Sequence, residues 1–183
     1  MHHLCRAGRG SRRIFKSGAN RVQLDRIDVK LLDAVQHNNR LTSEELSAMV
    51  GLSPTACQRR LKRLRDAKVI EADVAIISPK AVGRPVSMLV MVSLERERAD
   101  IVDRFKTAIR TTKEVMAGYY VTGEADFIIV VTARDMEEYE QFTRRFFYEN
   151  PDIKGFKTLV VMDRIKAGFA LPVMLTDADV ARR

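Results

Sequence analysis

The sequence predicts an α+β fold of two domains, a winged helix-turn-helix followed by a ferredoxin-like βαββαβ domain. Apolar residues first recur with the helical period of 3.6 and later alternate between strand-like and helix-like segments. The net charge of +8 is unevenly distributed, since residues 1–24 hold six basic and no acidic side chains and residues 53–68 hold six and one. The C-terminal segment, residues 69–183, is nearly neutral. This asymmetry indicates that the N-terminal part of the chain binds nucleic acid and that the second domain has a different function.

Composition argues against several other classes of protein. No apolar run approaches the roughly 18 to 20 residues of a membrane span, so we expect no membrane association. Cys5 and Cys57 lie far apart in dissimilar surroundings, which favours neither a disulfide framework nor a metal site, and the cytoplasm is the expected compartment. All three histidines lie at or before His37. We therefore expect no catalytic residues, no metal and no enzymatic activity.

Changes in composition and periodicity along the chain predict five segments. The first, rich in Gly, Ser and Arg, is expected to be disordered, and it is interpreted as a DNA-contacting arm, an upstream extension or an inert tail. Two prolines mark a linker between the domains. The segments are a disordered basic tail (1–21), the winged helix-turn-helix (22–78), the linker (79–85), the ferredoxin-like domain (86–166) and a C-terminal tail (167–183).

The first two helices carry clear start and stop signals. Asp25 is the expected N-cap of a helix whose apolar face holds Leu24, Ile27, Leu31, Leu32 and Val35. Thr42 and Glu45 have the spacing of a capping box, and Gly51 supplies a helix-ending turn. The expected buried residues of this second helix are Leu46, Met49 and Val50, and the expected restart of the chain is Ser53 as N-cap with Pro54. Two helices joined by such a turn predict a helix-turn-helix.

The third helix, within Leu52–Ile70, separates apolar from basic residues by side. At 100° per residue, Cys57, Leu61 and Leu64 face the other helices, and Thr55, Arg59, Lys62 and Arg63 face away, with Gln58 and Arg60 at the flanks. A merely solvated helix would carry acidic residues three or four positions away, and only Asp66 is present. We therefore predict major-groove binding. The candidate base contacts are Thr55, Gln58 and Arg59; the candidate phosphate contacts are Lys62, Arg63 and Arg65, with Thr42, Ser43 and Ser53 at helix starts.

The segment after Ala67, "VIEADVAIIS", predicts a small hairpin or wing. Beyond the linker, strand-like "VSMLVMVSL", "EVMAGYYV", "DFIIVVT" and "GFKTLVVM" alternate with two amphipathic segments. The helices would cover one face of an antiparallel sheet. Apolar residues occur at both alternations of the strands, so the uncovered face is expected to pack on a second copy of the chain. We expect at least a dimer.

The stretch "LDRIDVKLLDAVQHNNRLTSEELSAMVGLSPTACQRRLKRLRDAKVI" resembles the winged helix-turn-helix of the Lrp/AsnC family, the leucine-responsive or feast/famine regulators. "YYVTGEADFIIVV" and "FKTLVVMDRIK" resemble its effector-binding and oligomerisation domain, so the resemblance runs from about Leu24 to Lys166. Lys68 departs from the family, which usually has glycine there, so the helix end is expected to differ. The resemblance implies dimers assembled into octamers that bend or wrap double-stranded DNA.

The segment "YYVTGEADF" allows two interpretations. In the first it is an ordinary tight hairpin, with a positive φ at Gly123 and the strand restarting at Asp126. The family resemblance implies a site between dimers for a small amino acid, whose carboxylate would bind backbone N–H groups and whose ammonium would bind Asp126. The implied site residues are Tyr119, Tyr120, Val121, Thr122, Gly123 and Asp126, with Lys154 and Thr158 from the fourth strand.

The function predicted from these patterns is a sequence-specific transcriptional regulator whose DNA binding responds to a small effector, with no cofactor. One alternative is an architectural DNA-binding protein without an effector, whose binding is mostly phosphate neutralisation. A second is a haem-pathway decarboxylase, because such enzymes resemble this two-domain fold. The decarboxylase is disfavoured because the second domain has no histidine and the basic third helix is intact.

Overall fold

The computed structural model describes residues 23–96, 98–166 and 168–174. The predicted disordered tail of residues 1–21 and Cys5 therefore lie outside the described residues. Within them the chain forms two compact units. The first contains the residues up to Asp73 together with those from Phe169 onward, and the second contains Val74–Gly168. The first division falls a few residues before the predicted boundary at residue 78, and residues 169–174 of the predicted C-terminal tail group with the first unit.

Three helices form the first unit: α1 (Arg26–His37), α2 (Ser43–Val50) and α3 (Pro54–Asp66). Their predicted caps are confirmed. The Asp25 carboxylate accepts from the N–H groups of Ile27 and Asp28, and Thr42 forms a capping box with Glu45. Gly51 ends α2 with a left-handed φ of 74°, a conformation that is strained for residues with a Cβ.

The core between these helices contains fully buried Leu31, Cys57 and Leu64, with Leu46 and Leu61 nearly so. This confirms the predicted inner side of α3. The prediction that Met49 is buried was wrong, since 56% of this residue is exposed. Only eight residues long, α2 buries a narrow strip around Leu46, and Met49 lies beyond its edge.

The end of α3 at Lys68, where we expected a departure from the family pattern, has the backbone conformation that a glycine would adopt. Lys68 adopts φ 57°, the left-handed conformation that glycine usually supplies, and the N–H groups of Val69 and Ile70 donate to the Leu64 carbonyl. The predicted hairpin is absent, because the described residues 71–78 contain neither helix nor strand. Val74, Ile76 and Ile77 in this segment are more than half exposed.

The second unit is a four-stranded antiparallel sheet with helices on one face. Its elements are β1 (Val86–Leu94), α4 (Ala99–Thr111), β2 (Val115–Tyr120), β3 (Phe127–Ala133), α5 (Met136–Thr143) with a π-helical turn (Arg144–Tyr148), and β4 (Ile153–Val160). The strand order is β2-β3-β1-β4. This chain order and pairing confirm the predicted ferredoxin-like βαββαβ arrangement.

The two faces of this sheet are covered differently. On the helix face, alternate residues of β1 and β3, such as Val90 and Ile129, are fully buried with Phe105 and Phe142 of the helices. On the opposite face, Leu89, Tyr119 and Leu159 are 37%, 55% and 44% exposed. We call this opposite side the open face. It contains the remaining alternate positions of the four strands.

The C-terminal residues of the described chain return to α1. The Gln36 side chain donates to the Leu171 carbonyl at 2.9 Å and accepts from the Leu171 N–H at 2.8 Å. Val173 packs against the core of the first unit. The first unit is thus built from two separate stretches of sequence. No helix in the described ranges has the length and apolar character needed to cross a membrane.

Candidate DNA-binding surface and effector site

The outer side of α3 presents the predicted base-contacting residues. Thr55, Gln58 and Arg59 are all exposed near the start of the helix. The Gln58 amide donates to the Ser43 hydroxyl of α2 at 2.7 Å, so the two helices are joined by a polar contact on this side. A cavity of about 380 Å³ lies next to that contact, lined by residues of all three helices that include Val35, Leu46 and Lys62.

Most basic side chains of α3 already pair with carboxylates of the same chain. Lys62 pairs with Asp66 at 2.7 Å, and Arg65 donates two hydrogen bonds to Asp73. Three further pairs join α3 to the start of α1: Arg60 with Asp25, Arg60 with Asp28, and Arg63 with Asp28. Among the described residues, Arg59 has no such partner. The prediction from the sequence considered acidic residues on α3 alone, so it included Asp66 and missed the other three carboxylates, Asp25, Asp28 and Asp73.

The pKa values of these groups reflect their pairing. Burial raises the pKa of Asp25, but hydrogen bonds from the Asp28 N–H and from Arg60 lower it by more, and it lies below its ordinary value of 3.8. Hydrogen bonds to Asp25 and Asp28 raise the pKa of Arg60. The hydrogen bond from Arg65 lowers the pKa of Asp73. The Asp25–Arg60 and Asp73–Arg65 pairs are therefore charged at neutral pH.

The helix starts next to this surface are capped by their own side chains. The Thr42 N–H donates to the Glu45 carboxylate at 2.6 Å, so this predicted phosphate donor already has an acceptor. The Ser53 hydroxyl accepts from the Ala56 N–H at 3.3 Å. Ser43, as the first residue of α2, keeps its backbone N–H at the positive end of the helix.

The predicted effector loop is the turn between β2 and β3. The Val121 N–H donates to the Asp126 carbonyl at 2.8 Å, and Gly123 has φ 133°. The Asp126 carboxylate accepts from the Leu94 N–H at 2.7 Å, and its own N–H donates to the Val92 carbonyl. The predicted ammonium ligand is thus already hydrogen-bonded to β1 through one carboxylate oxygen.

The predicted effector residues do not form one cluster within a single chain. Tyr119 lies on the open face, whereas the Tyr120 ring lies on the helix side, 5.0 Å from the Phe127 ring and from the Lys106 ammonium. Thr122 and Gly123 are exposed in the turn. The opposing directions of the two tyrosines follow from the alternation of side chains along a strand.

Lys154 and Thr158 lie at the opposite edge of the sheet, on β4. Three strand spacings, about 14 Å, separate β4 from β2. The Thr158 hydroxyl contacts the Tyr139 hydroxyl on the helix side, where burial raises the pKa of Tyr139. Within one chain, Lys154 and Thr158 are therefore separated from the two tyrosines of β2 by the width of the sheet.

Asp28 is a candidate functional residue that was not predicted from the sequence. Its side chain is 1% exposed and binds two arginines of α3. The available signal was the spacing of Asp25 and Asp28, which is that of a capping box. Within the described ranges, no three metal-ligating side chains come close enough to hold an ion.

Two family models match the chain, in the same order as the two units. An AsnC-type helix-turn-helix domain matches residues 24–65, and an Lrp/AsnC ligand binding domain matches residues 87–171. The first match covers the three helices of the first unit except for the last residue of α3. The second covers the sheet except for the first residue of β1 and extends to the residue that contacts Gln36.

Relatives with both domains align along most of the chain. An HTH-type transcriptional regulator of Sinorhizobium fredii is 79% identical over 83% of this chain and 90% of its own length. The leucine-responsive regulatory protein of Escherichia coli K12 is 31% identical over 78% of this chain and 87% of its own. A solved transcriptional regulator of Neisseria meningitidis in complex with L-Met is 33% identical, with a TM-score of 0.76 over 81% of this chain and 96% of that one.

The basic helix α3 thus lies in the part of the chain that matches the helix-turn-helix domain, and the sheet with its open face lies in the part that matches the ligand binding domain. The S. fredii and E. coli relatives are transcriptional regulators. The chain belongs to the Lrp/AsnC family of transcriptional regulators, with a helix-turn-helix DNA-binding domain and a ligand-binding domain.

Proposed function

We propose that this regulator acts in the cytoplasm, binds a roughly palindromic site on double-stranded DNA as a dimer, and changes its DNA affinity when a small amino acid binds. The observation that carries the DNA-binding part is Arg59, exposed near the start of α3 and without a carboxylate partner in the described chain. A guanidinium can donate two parallel hydrogen bonds to guanine, and the amide of the neighbouring Gln58 can donate one hydrogen bond to adenine and accept another from it. Thr55 completes the proposed base contacts.

Lys62 and Arg65 are proposed to contact phosphates, together with the helix starts at Thr42, Ser43 and Ser53. Both basic residues have carboxylate partners, but these pairs are exposed, with 76% and 40% of the two basic side chains accessible. Exposed ion pairs contribute only about 0 to 1 kcal/mol, so exchange of a carboxylate for a phosphate costs little. These contacts would fix the register of the helix on DNA without reading sequence.

The test of the base contacts begins with selection of genomic fragments bound by the wild-type chain. Anisotropy titrations of the selected site then compare the wild type with Arg59→Ala, and with Arg110→Ala on α4 as a control. We expect Arg59→Ala to lose about 10-fold to 100-fold in affinity and to relax the preference at one or two base pairs. We expect no change for Arg110→Ala.

The architectural alternative predicts a different result from the same experiment. If binding were mostly phosphate neutralisation, Arg59→Ala would weaken binding to every duplex equally and leave base preferences unchanged. Such a result would contradict sequence-specific recognition by α3.

The proposed dimer rests on the open face. Leu89 and Leu159 are register partners at its centre, and Tyr119 lies at its edge, so apolar side chains continue across the sheet. Contiguous exposed apolar surface of this kind is typical of protein interfaces. A second copy supplies the same surface, because a two-fold axis brings one patch onto itself. Assembly into octamers is proposed by likeness to the family.

The proposed effector site is the β2–β3 turn, completed by a neighbouring chain. Two observations support it: the match to the Lrp/AsnC ligand binding domain and the L-Met complex of the N. meningitidis regulator. Exposed N–H groups around Thr122 and Gly123 suit a carboxylate, and the second oxygen of Asp126 suits an ammonium. Lys154 and Thr158 would come from β4 of another chain. An effector shared by several chains can bias their assembly, and through it the DNA affinity.

Calorimetry of the wild-type chain against each of the twenty amino acids tests the effector proposal. We expect at least one to bind, and Asp126→Asn to weaken it by at least about 10-fold, since the ionic contact is lost while the Leu94 N–H keeps an acceptor. Asp103→Asn, on the exposed side of α4, is the matched control. Absence of heat from all twenty would contradict an amino-acid effector, and equal binding by Asp126→Asn would contradict this site.

A further inference from the structure

A buried carboxylate lies between α1 and the DNA-facing helix α3. The Asp28 side chain is 1% exposed, yet it accepts three hydrogen bonds. The Asp25 N–H donates at 3.1 Å, Arg60 Nη1 at 2.9 Å and Arg63 Nη2 at 2.5 Å. Burial of a carboxylate is costly unless such partners compensate it, and removal of one partner leaves the rest uncompensated.

The two arginines are three positions apart on α3 and reach the same carboxylate from one side of the helix. Arg60 also donates to Asp25 at 2.6 Å, so the group contains two carboxylates and two guanidiniums. Its net charge is zero. The side chain of Arg60 is 26% exposed and that of Arg63 is 48% exposed. Arg60 is therefore held inside the contact between helices, whereas Arg63 lies at its outer edge.

Two anions can thus compete for Arg63, the Asp28 carboxylate and a DNA phosphate, because the position of Arg63 on α3 also directs it outward. A DNA phosphate would have to displace an interaction with a carboxylate that is almost inaccessible to water. That exchange differs from the one at Lys62, whose partner Asp66 is 63% exposed. An exposed pair is readily replaced, but breaking the Arg63 pair would leave Asp28 less compensated in a buried position.

We propose that Asp28 is a positioning residue for DNA binding: through Arg60 it fixes α3 against α1, and through Arg63 it withholds a positive charge from the DNA backbone. The proposal rests on DNA binding by α3. It replaces the sequence-based role of Arg63 as a phosphate contact. Fewer phosphate contacts reduce the sequence-independent part of binding, and a fixed helix keeps the base contacts in register. The carboxylate therefore favours discrimination between sequences over affinity for DNA in general.

The salt dependence of binding separates this role from a merely structural one. Each phosphate contact adds about 0.9 to the slope of log K against log salt concentration. If Asp28 served only to stabilise the fold, Asp28→Asn would reduce the folded fraction and leave that slope unchanged. If it withholds Arg63, the variant gains about 0.9 in slope for each α3 that contacts DNA, and each such gain is an extra loss of about 3.5-fold in affinity between 50 and 200 mM salt.

The experiment uses the full chain and a fluorescein-labelled 25-base-pair duplex of arbitrary sequence, titrated by anisotropy between 50 and 300 mM KCl. We expect Arg63→Gln to leave the slope of the wild type unchanged and Lys62→Gln, which removes a proposed phosphate contact and is the matched control, to reduce it by about 0.9 for each α3 on the DNA. We expect Asp28→Asn to bind this duplex several-fold more tightly at 50 mM KCl, with the steeper slope. The double variant of Asp28→Asn with Arg63→Gln should lose that gain.

Two results would overturn the proposal. One is a folded Asp28→Asn variant, as judged by circular dichroism, with the slope of the wild type. The other is a reduction of the slope in Arg63→Gln equal to that in Lys62→Gln, and this comparison decides the matter even if Asp28→Asn does not fold. A wild-type chain that fails to bind any duplex would instead contradict DNA binding itself, and the proposal with it.

Discussion

The outer surface of α3 and the open face of the sheet are the two candidate interaction surfaces, and they are prepared in opposite ways. On α3, the charged groups of Arg60, Lys62, Arg63 and Arg65 are paired with carboxylates of the same chain. On the open face, apolar side chains such as Leu89 have no cover within the described chain. The first surface is arranged before its partner arrives. The second is incomplete in a single chain, so its geometry depends on assembly.

The largest effect is expected from a charge at the centre of the open face. Leu89→Glu should weaken self-association by at least about 100-fold, because an unpaired carboxylate would be buried in the interface. Sedimentation velocity measures the change. Met136→Glu is the control, since Met136 is 52% exposed but begins α5 on the other side of the sheet. Unchanged association of Leu89→Glu would mean that the open face is not the interface.

The two faces of the sheet can also be compared by one substitution. A Cβ on Gly118 would lie 2.5 Å from the Ile109 Cγ2 atom of α4, whereas a Cβ on Gly155, on the open face, meets nothing within 4 Å. We expect Gly118→Ala to lower the free energy of unfolding by about 1 to 3 kcal/mol. Gly155→Ala should change it by less than about 0.5 kcal/mol. Urea unfolding of both variants in the Leu89→Glu background excludes a contribution from association. Equal losses would indicate that α4 moves away at little cost.

A smaller effect is expected at the end of α3, where the backbone is strained. Lys68→Gly should raise the free energy of unfolding of the first unit by about 0.5 to 1 kcal/mol, because glycine adopts the left-handed conformation without a clash. Thermal unfolding measures it. Ala67→Gly, one position earlier at φ −80°, should be neutral or destabilising. A loss of stability in Lys68→Gly would show that the lysine side chain contributes more than its backbone costs.

The smallest effect concerns acid. The pKa of Asp25 is lower in the folded chain than its ordinary value of 3.8, so the folded state binds fewer protons near that pH than the unfolded state. Its contribution to stability is therefore complete above about pH 4 to 5 and is lost as the pH falls through the folded-state pKa. Asp25→Ser keeps an N-cap and should flatten the fall in stability between pH 5 and pH 3. Urea unfolding at several pH values measures this, and an unchanged profile would exclude the Asp25–Arg60 pair as its cause.

The elements that the sequence predicted are those fixed by nearby residues. Caps at Asp25, Thr42 and Ser53 act over two or three positions, and the inner side of α3 follows from helical periodicity. The pairing of Arg63 with Asp28 spans 35 positions, so no count of charges along the helix could include it. The hairpin prediction for residues 69–78 relied on alternation alone, which does not specify a pairing partner.

The candidate effector residues also divide into those whose geometry depends on nearby residues and those whose geometry depends on the fold. Gly123 has the predicted positive φ because the turn is local. The separation of Tyr119 from Thr158 depends on strand order, which places β2 and β4 at opposite edges of the sheet. A family resemblance carries such residues over as a set.

The contact between Gln36 and Leu171 has a consequence for the order of folding. The two residues are 135 positions apart, and the entire second unit lies between them. During synthesis from the N-terminus, the three helices emerge early, but these two hydrogen bonds and the packing of Val173 can form only after the sheet has been translated. Completion of the DNA-binding unit is therefore one of the last events in making this chain. Nascent chains interrupted before Phe169 would contain the recognition helix but would lack the contacts of Leu171 and Val173 with the first unit.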